Sequence, residues 1–106
     1  MSSEAVEATG VRAQHDKPGL VFFHSSSSGR CRRVEGFLAQ VLQRRHNHDT
    51  FKLYRVEAEE RSDLARRFGI DALPTILVVE NKLVTARIVA PRGCREIEAA
   101  LAPWLK

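Results

Sequence analysis

The sequence is poor in several things, and each shortage excludes a class. Two cysteines in 106 residues, Cys31 and Cys94, are too few for a disulfide-built scaffold. No apolar run approaches the roughly 20 residues a membrane helix needs, so no membrane partner is expected. The opening residues, MSSEAVEATG, lack the basic start and apolar stretch of a secretory signal, so a reducing cytoplasm is the expected location. Aromatics are few, with five Phe, one Trp and one Tyr, which leaves little to stack nucleobases. Lysine is scarce too: four Lys stand against thirteen Arg, within a net charge of +4. Those arginines are spread along the chain rather than gathered in a stripe, which reads as solvated faces and argues against nucleic acid. No internal repeat is visible, and the serine run Ser25–Ser28 is the one low-complexity tract.

The length suits one domain, and a 43% hydrophobic content suffices for a core. Residues 1–17 are polar, with only small apolar side chains, and read as a flexible or weakly helical N-terminal arm. Residues 18–106 read as the domain. Leu20–Phe23 is a short continuous apolar run, the pattern of a strand buried on both faces. Val34, Phe37, Leu38, Val41 and Leu42 fall on one helical face, which stops near Arg45, and RRHNHD reads as a loop. FKLYRV is a second strand. Ser62 is placed to cap a short helix, and Gly69 to end it. TILVV is a third strand, and LVTARIV is its hairpin partner, although Asn81-Lys82 is not the favoured Asn-Gly turn. A terminal amphipathic helix starts after Gly93 and is interrupted near Pro103. The order β-α-β-α-β-β-α predicts an α/β fold with parallel strands and a closing antiparallel hairpin.

These elements, the cysteine corner Ser28-Gly29-Arg30-Cys31, and Phe68-Gly69-Ile70 followed by Leu73-Pro74-Thr75 make the chain resemble the thioredoxin family from about Gly19 to Leu101. The implied fold is thioredoxin-like: a central mixed sheet flanked by helices, with its N-terminal element shortened. In that family the corner carries two thiols. Here Ser28 stands at the nucleophile position, Arg30 at the proline between the thiols, and Cys31 at the resolving thiol. Phe22 stands where the family has a buried acid, Arg55 where it has that acid's lysine partner, and Gly36 at its helix-kink proline. His24 and Ser27 fall on tryptophan positions. Pro74 is kept, and the resemblance implies a cis bond before it.

Disulfide exchange needs an attacking thiolate and a second thiol to resolve the mixed disulfide. A serine hydroxyl stays protonated at neutral pH, so Ser28-x-x-Cys31 cannot cycle as a dithiol. Two readings follow. The first is a binding module that has lost dithiol turnover and takes a protein or an extended peptide at the proline corner, through Gly29, Arg30, Arg32, Leu73, Pro74 and Ala90. The second is a monothiol enzyme using Cys31, for which the helix start and Arg30, Arg32 and Arg33 favour the thiolate, while burial opposes it; glutathione is then a co-substrate, and no other cofactor is expected. Ser28 as a catalytic serine would need a base, and His24, the nearest histidine, has no evident acidic orienter; capping the helix is the plainer role. A rim of Arg30, Arg32, Arg33 and His24 favours anionic partners. Cys94 is a second helix-start thiol, not expected to bond Cys31. His46, His48 and Asp49 read as a solvated loop, no metal is expected, and Arg66-Arg67 face solvent. The chain is expected to be a monomer.

Overall fold

The computed structural model describes residues 17–106, and the expected N-terminal arm lies outside them except for Lys17. Four strands and three helices follow: β1 (Gly19–His24), α1 (Gly29–Gln43), β2 (Lys52–Glu57), α2 (Ser62–Arg67), β3 (Thr75–Glu80), β4 (Leu83–Val89) and α3 (Cys94–Leu101). The strands form one sheet in the order β2-β1-β3-β4. β1 pairs with β2 in parallel and with β3 antiparallel, and β3 pairs with β4 antiparallel.

Side chains alternate across a strand, so the central strands β1 and β3 divide their apolar residues between two cores. Leu20, Phe22, Ile76 and Val78 join Val34, Leu38 and Val41 of α1 and Ile97 and Leu101 of α3 in the larger core. Val21, Phe23, Leu77 and Val79 meet Val56, Leu64 and Phe68 in the smaller one under α2. Such two-sided burial is why both strands read as continuous apolar runs. The edge strands β2 and β4 keep Leu53, Leu83 and Val89 exposed.

Three local expectations are corrected. Only β1 and β2 are parallel, whereas a helix between β2 and β3 had suggested a further parallel strand. Strand alternation looks the same in either direction, so direction is decided by how the connection returns to the sheet. Residues Arg44–Asp49 are not an open loop but a 3₁₀ segment, kinked where Arg45 and His46 take left-handed angles. Buried Asn47 organises it: its amide donates to Arg44 O at 2.6 Å, and its Oδ1 accepts from Thr50 Oγ1 and from the Lys106 N–H. Ser62 does not cap α2, since Arg61 holds the cap position and no side chain bonds there. Asn81 and Lys82 both adopt positive φ, 51° and 67°, the signature of a type I′ hairpin turn built without glycine. As expected, Gly69 follows α2 at φ +66°, where a residue without Cβ is at ease.

Candidate functional site

The corner opens where β1 ends. Ser25 to Ser28 close a turn on themselves: Ser28 N–H donates to Ser25 O at 3.1 Å, and the Ser25 and Ser27 hydroxyls lie 3.1 Å apart. The serine run therefore spends its polar groups on local structure. Ser28 is in extended conformation at the N-cap of α1, and its Oγ accepts the Cys31 N–H at 3.2 Å. This is the capping role expected of it.

Cys31 is 2% exposed, and its sulfur accepts the Ser25 N–H at 3.4 Å. It is a free thiol seated beneath the serine turn, in the first turn of a 15-residue helix. Cys94 is also free, at the start of α3. Its Sγ–H donates to Gln40 Oε1 at 3.1 Å and faces Phe37 O at 3.7 Å. The two sulfurs thus occupy different packing environments.

The remaining expected positions separate. Leu73–Pro74 is a cis peptide, and Pro74 is buried. Ala90 N–H donates to Pro74 O at 2.8 Å, which ties the end of β4 to the turn before β3. Ala90 holds φ 42°, a left-handed angle that is uncommon for a residue with a Cβ. Gly29 and Arg30 are exposed at the start of α1. Arg30 and Arg33, with Ala90 and Pro91, line a cavity of about 370 Å³ that Arg92 also borders. Arg32 is exposed and lines neither this cavity nor the next.

His24 faces the other way. It borders a second cavity of about 420 Å³ with Arg55, Glu57, Glu60 and Arg61. Its ring stacks on Phe22 at 5.3 Å, and Nδ1 lies 3.8 Å from Glu57 Oε1. A carboxylate therefore does stand beside His24, contrary to expectation. Glu57 also accepts the Ser26 N–H through both oxygens, at 3.0 and 3.3 Å, which pins the serine turn to the end of β2. Nothing in the sequence pattern marks Glu57, because its partners lie 31 and more residues away. Phe22 is 1% exposed, and Arg55 opposite it in register points outward to Glu35 at 2.9 Å. Beside this cavity, the Arg61 side chain donates to Asp63 and holds that carboxyl below its ordinary range. His46 and His48 sit on the surface with their rings 5.9 Å apart, and the described residues hold no group of three His, Cys, Asp or Glu suited to a metal.

Comparison with known proteins gives this geometry its relatives. A solved thioredoxin from Nicotiana alata superposes with a TM-score of 0.76 at 21% identity, covering 100% of this chain and 89% of that one. Thioredoxin 2 from Pseudomonas aeruginosa gives 0.76 at 23% identity, covering 92% and 85%. Among curated proteins, mitochondrial thioredoxin of Bos taurus is 27% identical over 86 residues, 81% of this chain and 51% of its own length. The chain thus spans about half the length of that relative. A thioredoxin of Listeria monocytogenes is 22% identical over 105 residues, 99% of this chain and 100% of its own length. The thioredoxin family model matches residues 7–103, beginning upstream of the Gly19 at which the sequence resemblance starts. With its mixed four-stranded sheet between helices and a match over most of its length, the chain belongs to the thioredoxin family.

Proposed function

We propose that this protein is a thioredoxin-like binding module without dithiol turnover, which takes an extended protein segment at the corner between the start of α1 and the cis-Pro74 turn. One observation carries the reading. The position of the attacking thiol holds Ser28, whose Oγ accepts the Cys31 N–H, while the remaining sulfur is buried under the Ser25 amide. Passing two electrons through the corner requires two sulfurs, and the described residues offer no second one there. What persists is the backbone at Leu73, beside Pro74, where an incoming strand can pair as at a sheet edge.

The test is in two parts. Purified protein should not accelerate insulin reduction above the background of the added reductant. Cys31 should also react with iodoacetamide at least tenfold more slowly than Cys94, and an extended peptide should perturb the backbone amides of Leu73 and Thr75 in an NMR titration. Catalysed insulin reduction would falsify the loss of turnover.

A second reading has its own support in the Ser25 N–H aimed at the Cys31 sulfur at 3.4 Å and in the place of that sulfur in the first turn of a 15-residue helix. Under it, the Cys31 thiolate attacks a mixed disulfide between glutathione and a partner protein, takes the glutathionyl group and releases the partner's thiolate; reduced glutathione then attacks the Cys31–glutathione disulfide, regenerating Cys31 and leaving as oxidised glutathione. Alkylation of Cys31 faster than Cys94 favours this reading over the first.

A further inference from the structure

The cavity beside the corner has a charge pattern that the fold does not use. Three arginines border it, Arg30 and Arg33 from the first turns of α1 and Arg92 from the link between β4 and α3. Among the described residues, no acidic side chain lines it. Elsewhere four arginines are committed, Arg44 to Glu98, Arg55 to Glu35, Arg61 to Asp63, and Arg87 to the carbonyls of Phe68 and Gly69, whereas Arg32, Arg45, Arg66, Arg67 and Arg95 are unpaired among the described residues but do not share a hollow. Arg30, Arg33 and Arg92 have no ion pair and no side-chain hydrogen bond among the described residues. Glu96 accepts the backbone N–H of Arg92 at 2.8 Å and so serves the start of α3. Between the guanidinium groups the lining is apolar: Val34, Phe37, Ala90 and Pro91.

We infer that this cavity is a site for an acidic stretch of a partner protein, with carboxylates held by Arg30, Arg33 and Arg92 and an apolar side chain between them on Phe37 and Pro91. The inference rests on the peptide-binding reading and names the chemistry of the segment bound. Guanidinium groups match carboxylates in paired, planar hydrogen bonds, and three like charges around one hollow are relieved by an anion. The volume of about 370 Å³ is in the range of side-chain and small-ligand sites, about 300–1,000 Å³. A peptide continuing from the corner is favoured over a free anion by one connection. Ala90, which lines the cavity, hydrogen-bonds Pro74 O, so a chain paired at Leu73 runs directly on towards the arginines. The apolar residues in the lining, Val34, Phe37, Ala90 and Pro91, offer an aliphatic side chain contacts that a bare phosphate does not use.

The experiment is an NMR titration of the full chain with a capped eight-residue peptide of alternating glutamate and valine, its glutamine counterpart, and sodium phosphate alone. The glutamate peptide should shift the amides of Arg33, Ala90 and Arg92 together with those of Leu73 and Thr75, and bind at least tenfold more tightly than the glutamine peptide. Arg33→Glu and Arg92→Glu should each weaken it at least tenfold, whereas Arg67→Glu on α2 should leave it within twofold. If both peptides shift Leu73 and Thr75 equally while the cavity amides stay silent, the acidic specificity is overturned and the peptide-binding reading stands. If neither peptide perturbs either set, both fall. Should phosphate alone shift the cavity amides at the same concentration, the site is one for a free anion and the assignment to a protein segment is overturned.

Discussion

Two hollows flank the serine turn, and they handle charge in opposite ways. In the one beside β2, Arg55 is paired with Glu35, Arg61 with Asp63, and Glu57 with His24 and the Ser26 amide. In the one beside β4, three arginines converge, and no carboxylate of the described residues lies in the lining. Charge that is neutralised within the chain supports structure, whereas charge left over is available to a partner. The first hollow reads as a brace for the turn that covers Cys31, and the second as the face on which recognition depends.

That contrast can be broken at four points, the largest effect first. Phe22→Asp restores the acid of the family pattern at a site that is 1% exposed, but Arg55 is turned out to Glu35 and leaves the new carboxylate unpaired. It should destabilise the fold by about 3 kcal/mol or more in urea unfolding; a loss under about 1 kcal/mol would mean that Arg55 swings in to meet it. Glu57→Ala removes the acceptor of the Ser26 N–H and the partner of His24. It should cost about 1–2 kcal/mol and speed alkylation of Cys31 as the turn loosens; unchanged alkylation would show that Glu57 does not brace the sulfur's cover. Ser28→Ala removes the cap of α1 and should cost about 1 kcal/mol. Retained stability would assign Ser28 some role other than capping. Arg33→Ala with Arg92→Ala should alter stability by no more than about 0.5 kcal/mol, because neither side chain has a partner among the described residues. A loss of 2 kcal/mol would erase the difference between the two hollows.

Much of this architecture was legible in the residues. The apolar runs of β1 and β3 and the helical spacing of α1 predict their elements because each buries a fixed face. Ser28 as a cap was legible because capping is local, between residues three apart. The antiparallel entry of β3, the order within Arg44–Asp49 and the start of α2 with Arg61, not Ser62, at the cap position were not, since each depends on contacts that residue pattern does not encode. The site divided in the same way. Arg32 and Arg33 are neighbours in sequence, yet only Arg33 reaches the cavity, because consecutive helical side chains point about 100° apart.

By itself the sequence determined the covalent chemistry: the stretch from Ser28 to Cys31 carries one hydroxyl and one sulfur, and no folding can alter that. Only the tertiary structure decided what surrounds the remaining thiol and where the spare charge gathers. Glu57 reaches the serine turn from 31 residues away, and Arg92 meets Arg30 and Arg33 from about 60. Those meetings exist because the sheet order carries the ends of β1, β2 and β4 around one corner, a relation set by packing rather than by any local run of residues.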